Sequence, residues 1–119
     1  MARKDHPETP DGRYFVARGR LWRKTDPGLS VSERRRAIKA LMRARLEARN
    51  AVEEEAIKRA RAAVEDAKFR LGEAGPVWWT DGAPDEHGLD PSCSSYASWW
   101  SGLSEDLRLK GTRGTSNAE

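Results

Sequence analysis

The first cluster of apolar positions, Tyr14 to Ala17, is separated from Leu21 and Trp22 by the pair Arg18-Gly19. This pattern predicts two short strands, Tyr14 to Ala17 and Arg20 to Arg23, joined by a tight turn in which Gly19 takes a positive φ. A two-stranded ribbon is marginal by itself, so Tyr14, Phe15 and Trp22 are expected to pack on another element.

A turn at Asp26-Pro27-Gly28 precedes Ser32, a good helix N-cap, and no Gly or Pro follows until Gly72. With about 100° per residue, Val31, Ile38, Leu41, Met42, Leu46, Val52, Ala56, Ile57, Ala60, Val64, Ala67 and Leu71 fall on one face. Arg45, Arg49 and Glu53 interrupt that stripe, and Asn50 with Glu53 matches a capping box. One uninterrupted helix would be about 60 Å long, against a radius of gyration near 13 to 14 Å for a compact chain of this size. An antiparallel helical hairpin broken near Arg49 to Val52 is therefore expected, the continuous rod being the form a coiled-coil oligomer would take. Gly72 or Gly75 would close the second helix, and Pro76 prevents its continuation.

Beyond Pro76, the stretch Val77 to Asp85 holds too many turn formers for a regular element and predicts an ordered loop anchored by Trp78 and Trp79. Tyr96, Trp99, Trp100 and Leu103 share one face of a short helix within Ser92 to Leu103. Ala56, Ala60 and Ala67 are small enough to seat those rings. The expected fold is α+β, mostly α, with a single domain over residues 13–110 between a flexible N-terminal tail, 1–12, and a disordered C-terminal tail, 111–119.

Composition changes this picture in one respect. Leu, Ile, Val and Phe number only 18 in 119 residues, whereas 34% of the chain is charged, so the five Trp must supply core volume that aliphatic side chains do not. Trp78, Trp79, Tyr96, Trp99 and Trp100 are accordingly read as structural, with one indole of each adjacent pair in the core. The single Cys93 cannot form an internal disulfide, and no signal peptide or membrane span is legible, so a cytoplasmic protein is expected.

The blocks GRYFV and GRLWR, then LGEAGPVWWTDGAPD, then Tyr96-x-x-Trp99 resemble a family of small bacterial proteins without a known activity, some of them labelled "biopolymer transporter Tol". The resemblance covers roughly residues 7–103 and departs from the family pattern after Asp85, at EHGLDPSCSS. It implies a bacterial, cytoplasmic, small α+β protein and carries over no catalytic residue and no cofactor.

Charge adds a candidate surface. Residues 1–50 hold 14 basic and 6 acidic side chains, whereas residues 51–119 hold 8 basic and 13 acidic. Arg13, Arg18, Arg20, Arg23 and Lys24 interleave with Tyr14, Phe15 and Trp22, a combination suited to phosphate contacts and base stacking. Arg34, Arg35 and Arg36 add cations at a helix start, where the macrodipole disfavours them. The expected function is a non-enzymatic interaction protein whose basic face meets an acidic macromolecule, nucleic acid or protein. A homo-oligomer paired through the helical region is the alternative.

Catalytic and metal chemistry have weaker support. Asp81, Asp85, His87, Asp90 and Cys93 are metal-capable, but their spacing matches neither zinc nor calcium sites, and turn capping explains the aspartates. Asp81 and Asp85 with His87 could form an acid-base set, although no nucleophile elbow or phosphate loop accompanies them.

Overall fold

The computed structural model describes residues 6–113. The chain groups into two compact units, one comprising residues up to Lys24 together with those from Gly82 onward, the other Thr25–Asp81. The expected single domain thus contains parts of both. Of the expected tails, residues 1–5 and 114–119 lie outside the described residues.

In the first unit, β1 (Tyr14–Ala17) and β2 (Arg20–Arg23) form an antiparallel hairpin with Phe15 opposite Trp22 and Val16 opposite Leu21. Arg18 and Gly19 both have positive φ, 56° and 73°, as a two-residue turn between right-twisted strands demands. All four residues of β1 are buried, so both faces of this strand are covered. Its edges are covered as well. Thr9 N–H donates to the Tyr14 carbonyl and Val16 N–H to the Pro7 carbonyl, while Leu21 exchanges backbone hydrogen bonds with Leu89 and Gly88 on the far side. Residues 6–12, expected as a tail, therefore include a buried Pro7 and Thr9 bonded against β1.

A short 3-10 turn, Pro91–Cys93, is followed by α3 (Ala97–Ser101) and α4 (Glu105–Thr112). The expected helix over Ser92 to Leu103 is thus split, because Asp90 caps the 3-10 turn and Ser94 stands extended after it. Helix α4 has no counterpart among the predicted elements. Ser104 caps its start, accepting from Leu107 N–H, and its end reaches the hairpin turn. There Gly19 N–H donates to the Gly111 carbonyl and Arg18 N–H to the Arg113 carbonyl, which places residues 111–113 in the fold and not in a tail.

The aromatic face at Tyr96 was expected to rest on the alanines of the helical hairpin. Instead Tyr96 meets Tyr14 edge-on at 5.6 Å, and Trp100 covers Gly111, while Ala67 lies in the core between the two long helices. The reason is volume. A two-stranded ribbon buried on both faces needs rings from its own unit, and the alanine seam is narrow enough to be filled by the facing helix.

The second unit is the predicted helical hairpin, α1 (Val31–Asn50) against α2 (Glu54–Leu71). Three residues, 51–53, separate the helices, at the expected break. Its chemistry differs from expectation at both starts. Helix α1 is capped by Ser30 and not Ser32: Ser30 Oγ accepts from Glu33 N–H at 3.1 Å while Glu33 Oε1 accepts from Ser30 N–H at 3.0 Å, a complete capping box. Helix α2 starts without a side-chain cap, and Asn50 is the last residue of α1, so the Asn50 and Glu53 box does not form. Gly72, at φ 80°, closes α2 as predicted.

The helix seam is built from Ala37, Leu41 and Ala44 on α1 and Ala60, Ala67 and Leu71 on α2. The α2 half of the expected apolar stripe is correct. On α1 the buried line is rotated away from it, leaving Val31 at 70%, Met42 at 56% and Leu46 at 48% exposure. Small residues let the two helices approach closely, so the seam follows the alanines and not the larger aliphatic side chains.

At the far end of this unit, Trp78 and Trp79 stack edge-on at 5.1 Å, Trp79 buried and Trp78 half-buried, as expected of that pair. Trp99 and Trp100 are both half-buried, so neither is the wholly core member expected of theirs.

Two stability outcomes follow. Ser30→Ala removes the α1 cap and should cost about 1 kcal/mol, whereas Ser32→Ala should be neutral or slightly stabilising in thermal melts. In Gly111→Ala the new methyl would stand 2.7 Å from Trp100 Cη2 and 3.2 Å from Val16 Cγ1. That overpacking should cost about 1 to 3 kcal/mol, read as a lowered melting temperature.

Candidate functional surface

The hairpin cations are largely engaged within their own unit. Arg23, expected on the basic face, has a side chain only 1% exposed, and its Nη1 donates to Asp85 Oδ2 at 3.1 Å. A guanidinium at that depth requires a carboxylate partner, which is why β2 turns it inward towards residue 85. Lys24 Nζ pairs with Glu8 at 2.7 Å, and Arg13 Nε lies 3.8 Å from Asp11. Arg20 is exposed but donates to the Gly88 carbonyl at 2.8 Å, and Arg18 is exposed at the turn. Trp22 is half-buried. Its indole N–H donates to the Ala17 carbonyl at 2.7 Å, and its ring meets His87 edge-on at 5.5 Å. The geometry that favoured base stacking on Trp22 is thus used for packing.

The residues from 81 to 93 are equally occupied by structure. Asp85 accepts from Arg23, from the Tyr14 hydroxyl and from His87 N–H, and His87 Nδ1 accepts from Arg23 N–H. Asp90 caps the 3-10 turn through Ser92, and those hydrogen bonds hold its carboxyl below the ordinary carboxylate range. Cys93 is exposed, and Asp81 belongs to the other unit. Among the described residues no three His, Cys, Asp or Glu side chains come together as a metal-holding group.

Helix α1 presents a different surface. Arg34, Arg35, Arg36, Lys39 and Arg43 are all exposed, and none forms a salt bridge among the described residues. No acid occurs between Arg34 and Leu46. Glu33, held low in pKa by its capping bonds with Ser30, gives Arg36 a nearby negative charge and softens the unfavourable macrodipole at the helix start. Lys39 and Arg43 were not singled out from the sequence, although the acid-free run and their spacing of four residues after Arg35 and Lys39 mark one helix face. Met42 and Leu46 lie on the same side, opposite Ala37, Leu41 and Ala44 at about 100° per residue. A groove of about 580 Å³ continues from Leu46 between the helices, over Ala56 and Ala60. The hairpin cations belong to one unit and the α1 cations to the other.

No protein-family model, curated protein or solved structure matches this chain.

The two tyrosines offer a direct reading of the first unit. Burial pushes Tyr14 up to about 12, helped by the neighbouring Asp85 charge and countered by the Glu86 N–H it accepts. Burial also pushes Tyr96 up, as does Asp11, to which its hydroxyl donates at 2.6 Å. An unfolded tyrosine titrates near pH 10, so the stability these groups contribute is complete below about pH 10 and is lost as pH rises through the folded values. Phenolate absorbance of the folded protein should therefore appear only well above pH 10, since these are the chain's 2 tyrosines. A native-state titration near pH 10 would contradict their burial.

Proposed function

We propose that the chain is a non-enzymatic, cytoplasmic interaction protein of bacterial origin whose basic face contacts an acidic macromolecule, and that this face is the exposed side of α1. The observation that carries the reading is the set Arg34, Arg35, Arg36, Lys39 and Arg43, exposed and without salt bridges among the described residues, in a run free of acids. Like charges on neighbouring turns repel, and a polyanionic partner removes that repulsion. No helix of the described residues is long and apolar enough to cross a membrane, which is compatible with this setting.

The hairpin set Arg13, Arg18, Arg20, Trp22, Arg23 and Lys24 contributes less, because acids, carbonyls or packing already engage most of its members. A catalytic role for Asp81, Asp85 and His87 is less well supported for a related reason. Asp85 already accepts hydrogen bonds from Arg23, the Tyr14 hydroxyl and His87 N–H, so its oxygens serve the fold. Homo-oligomer formation keeps one favourable observation, the exposed Met42 and Leu46. Stacking α1 on itself, however, would bring acid-free basic faces together.

Two polyanions test the reading, duplex DNA and poly-glutamate. With about four α1 cations engaged, affinity for DNA should fall about a hundredfold between about 50 and 200 mM salt. Arg35→Glu with Lys39→Glu should abolish binding to both polyanions, whereas Arg18→Gln with Arg20→Gln should leave most of it. Absence of binding to either at about 20 µM protein and about 50 mM salt would reject the proposal.

A further inference from the structure

We infer that the α1 surface is built for an acidic amphipathic helix of a protein partner, laid along Arg35 to Leu46 with its apolar residues on Met42 and Leu46 and in the groove over Ala56 and Ala60. This rests on the reading of α1 as the contact face for an acidic macromolecule and names the kind of macromolecule.

Two features separate a protein helix from nucleic acid. A phosphate-binding face gains from cations and from flat rings that stack on bases, and uses an aliphatic side chain only where it touches a thymine methyl or wedges between base steps. Here Met42 and Leu46 stand four residues apart at the C-terminal end of the basic run, 56% and 48% exposed, an arrangement that matches the i, i+4 anchors of helix-in-groove recognition. Methionine at such a position adapts to varied side chains. The groove that begins at Leu46 has a floor of small residues, Ala56 and Ala60, and can admit a side chain larger than its own. Arg59 and Glu47 also line it, so a partner carboxylate there is drawn to Arg59 and kept away from Glu47.

Charge decides the occupant. Between Arg34 and Leu46 lie six basic residues and no acid, so a second copy of α1 would meet like charge across the whole contact, whereas a helix carrying Asp or Glu beside its apolar residues would neutralise it. The distance along the axis from Arg35 to Leu46 is about 17 Å, which a partner helix of about twelve residues spans in about three turns. Its carboxylates would face Arg35, Lys39, Arg43 and Arg59, and its aliphatic residues Met42, Leu46 and the alanine floor.

The test uses the full chain and three labelled probes in fluorescence anisotropy. The first is a synthetic peptide of about twelve residues with leucines on one helical face and glutamates beside them. The second has the same composition with the leucines spread around the helix, and the third is a short DNA duplex. The facial peptide should bind about tenfold more tightly than the scrambled one. Met42→Ser with Leu46→Ser should erase that difference and leave the weaker, salt-sensitive binding common to both peptides. Because both residues are exposed, an unchanged melting temperature should show that these variants fold. Equal affinity for the two peptides, or tighter binding to DNA than to the facial peptide, overturns the inference while leaving the acidic-macromolecule reading intact. Binding to none of the three overturns both.

Discussion

Strand β1 is buried on both faces although its sheet has only two strands, and the arrangement of the first unit follows from that. A ribbon so enclosed leaves backbone donors and acceptors along each edge with no water to satisfy them. The chain supplies partners from irregular segments, the nearby Pro7 and Thr9 on one side and the distant Gly88 and Leu89 on the other. The turn has the same requirement, and the end of α4 meets it through Gly111 and Arg113. Tyr14, on the buried strand, then organises the polar boundary, because its hydroxyl donates to Asp85 and accepts from Glu86 N–H. Asp85 in turn neutralises the inward-facing Arg23.

The second unit solves a different problem with different means. Few large aliphatic residues are present, so α1 and α2 approach through alanines, and Leu41 and Leu71 fill what the alanines leave. Close approach has a consequence for α1. With its alanine line turned towards α2, the cations and the larger apolar residues of the opposite side are left on the surface together. The mixed basic and apolar face arises from the way the seam is packed.

The elements legible in the sequence were those governed by neighbours in the chain. Gly19 in the hairpin turn and the left-handed Gly72 each depend on a local backbone preference, and each is present, whereas the break at residues 51–53 followed from the length of a single rod and not from the Asn50 box, which does not form. What was not legible depends on pairing across the chain. Nothing near Arg23 announces Asp85, sixty-two residues away, and an inward cation reads as a surface one until that carboxylate is placed. The phase of α1 was misjudged because Val31, Met42 and Leu46 outweigh Ala37 and Ala44 on any hydropathy scale, although the alanines allow the closer helix contact. Helix α4 was missed because Gly111, a poor helix residue, occupies its last turn, where the indole of Trp100 leaves no room for a side chain.

The same distinction between local and distant partners explains why two basic segments of similar composition differ as candidate surfaces. Within the hairpin unit, Glu8, Asp11 and Asp85 lie close enough to take up Lys24, Arg13 and Arg23, so charge there serves the fold. On α1 the nearest acid in sequence before the run is Glu33, already committed to the capping box, and the next after it is Glu47. A helix holds its residues to neighbours three and four positions away, so an acid-free run longer than three turns cannot be neutralised from within itself. Where a second helix could have offered carboxylates, the seam offers alanines. The charge of Arg35, Lys39 and Arg43 is therefore left for solvent, salt or a partner, and only a partner also gains by covering Met42 and Leu46.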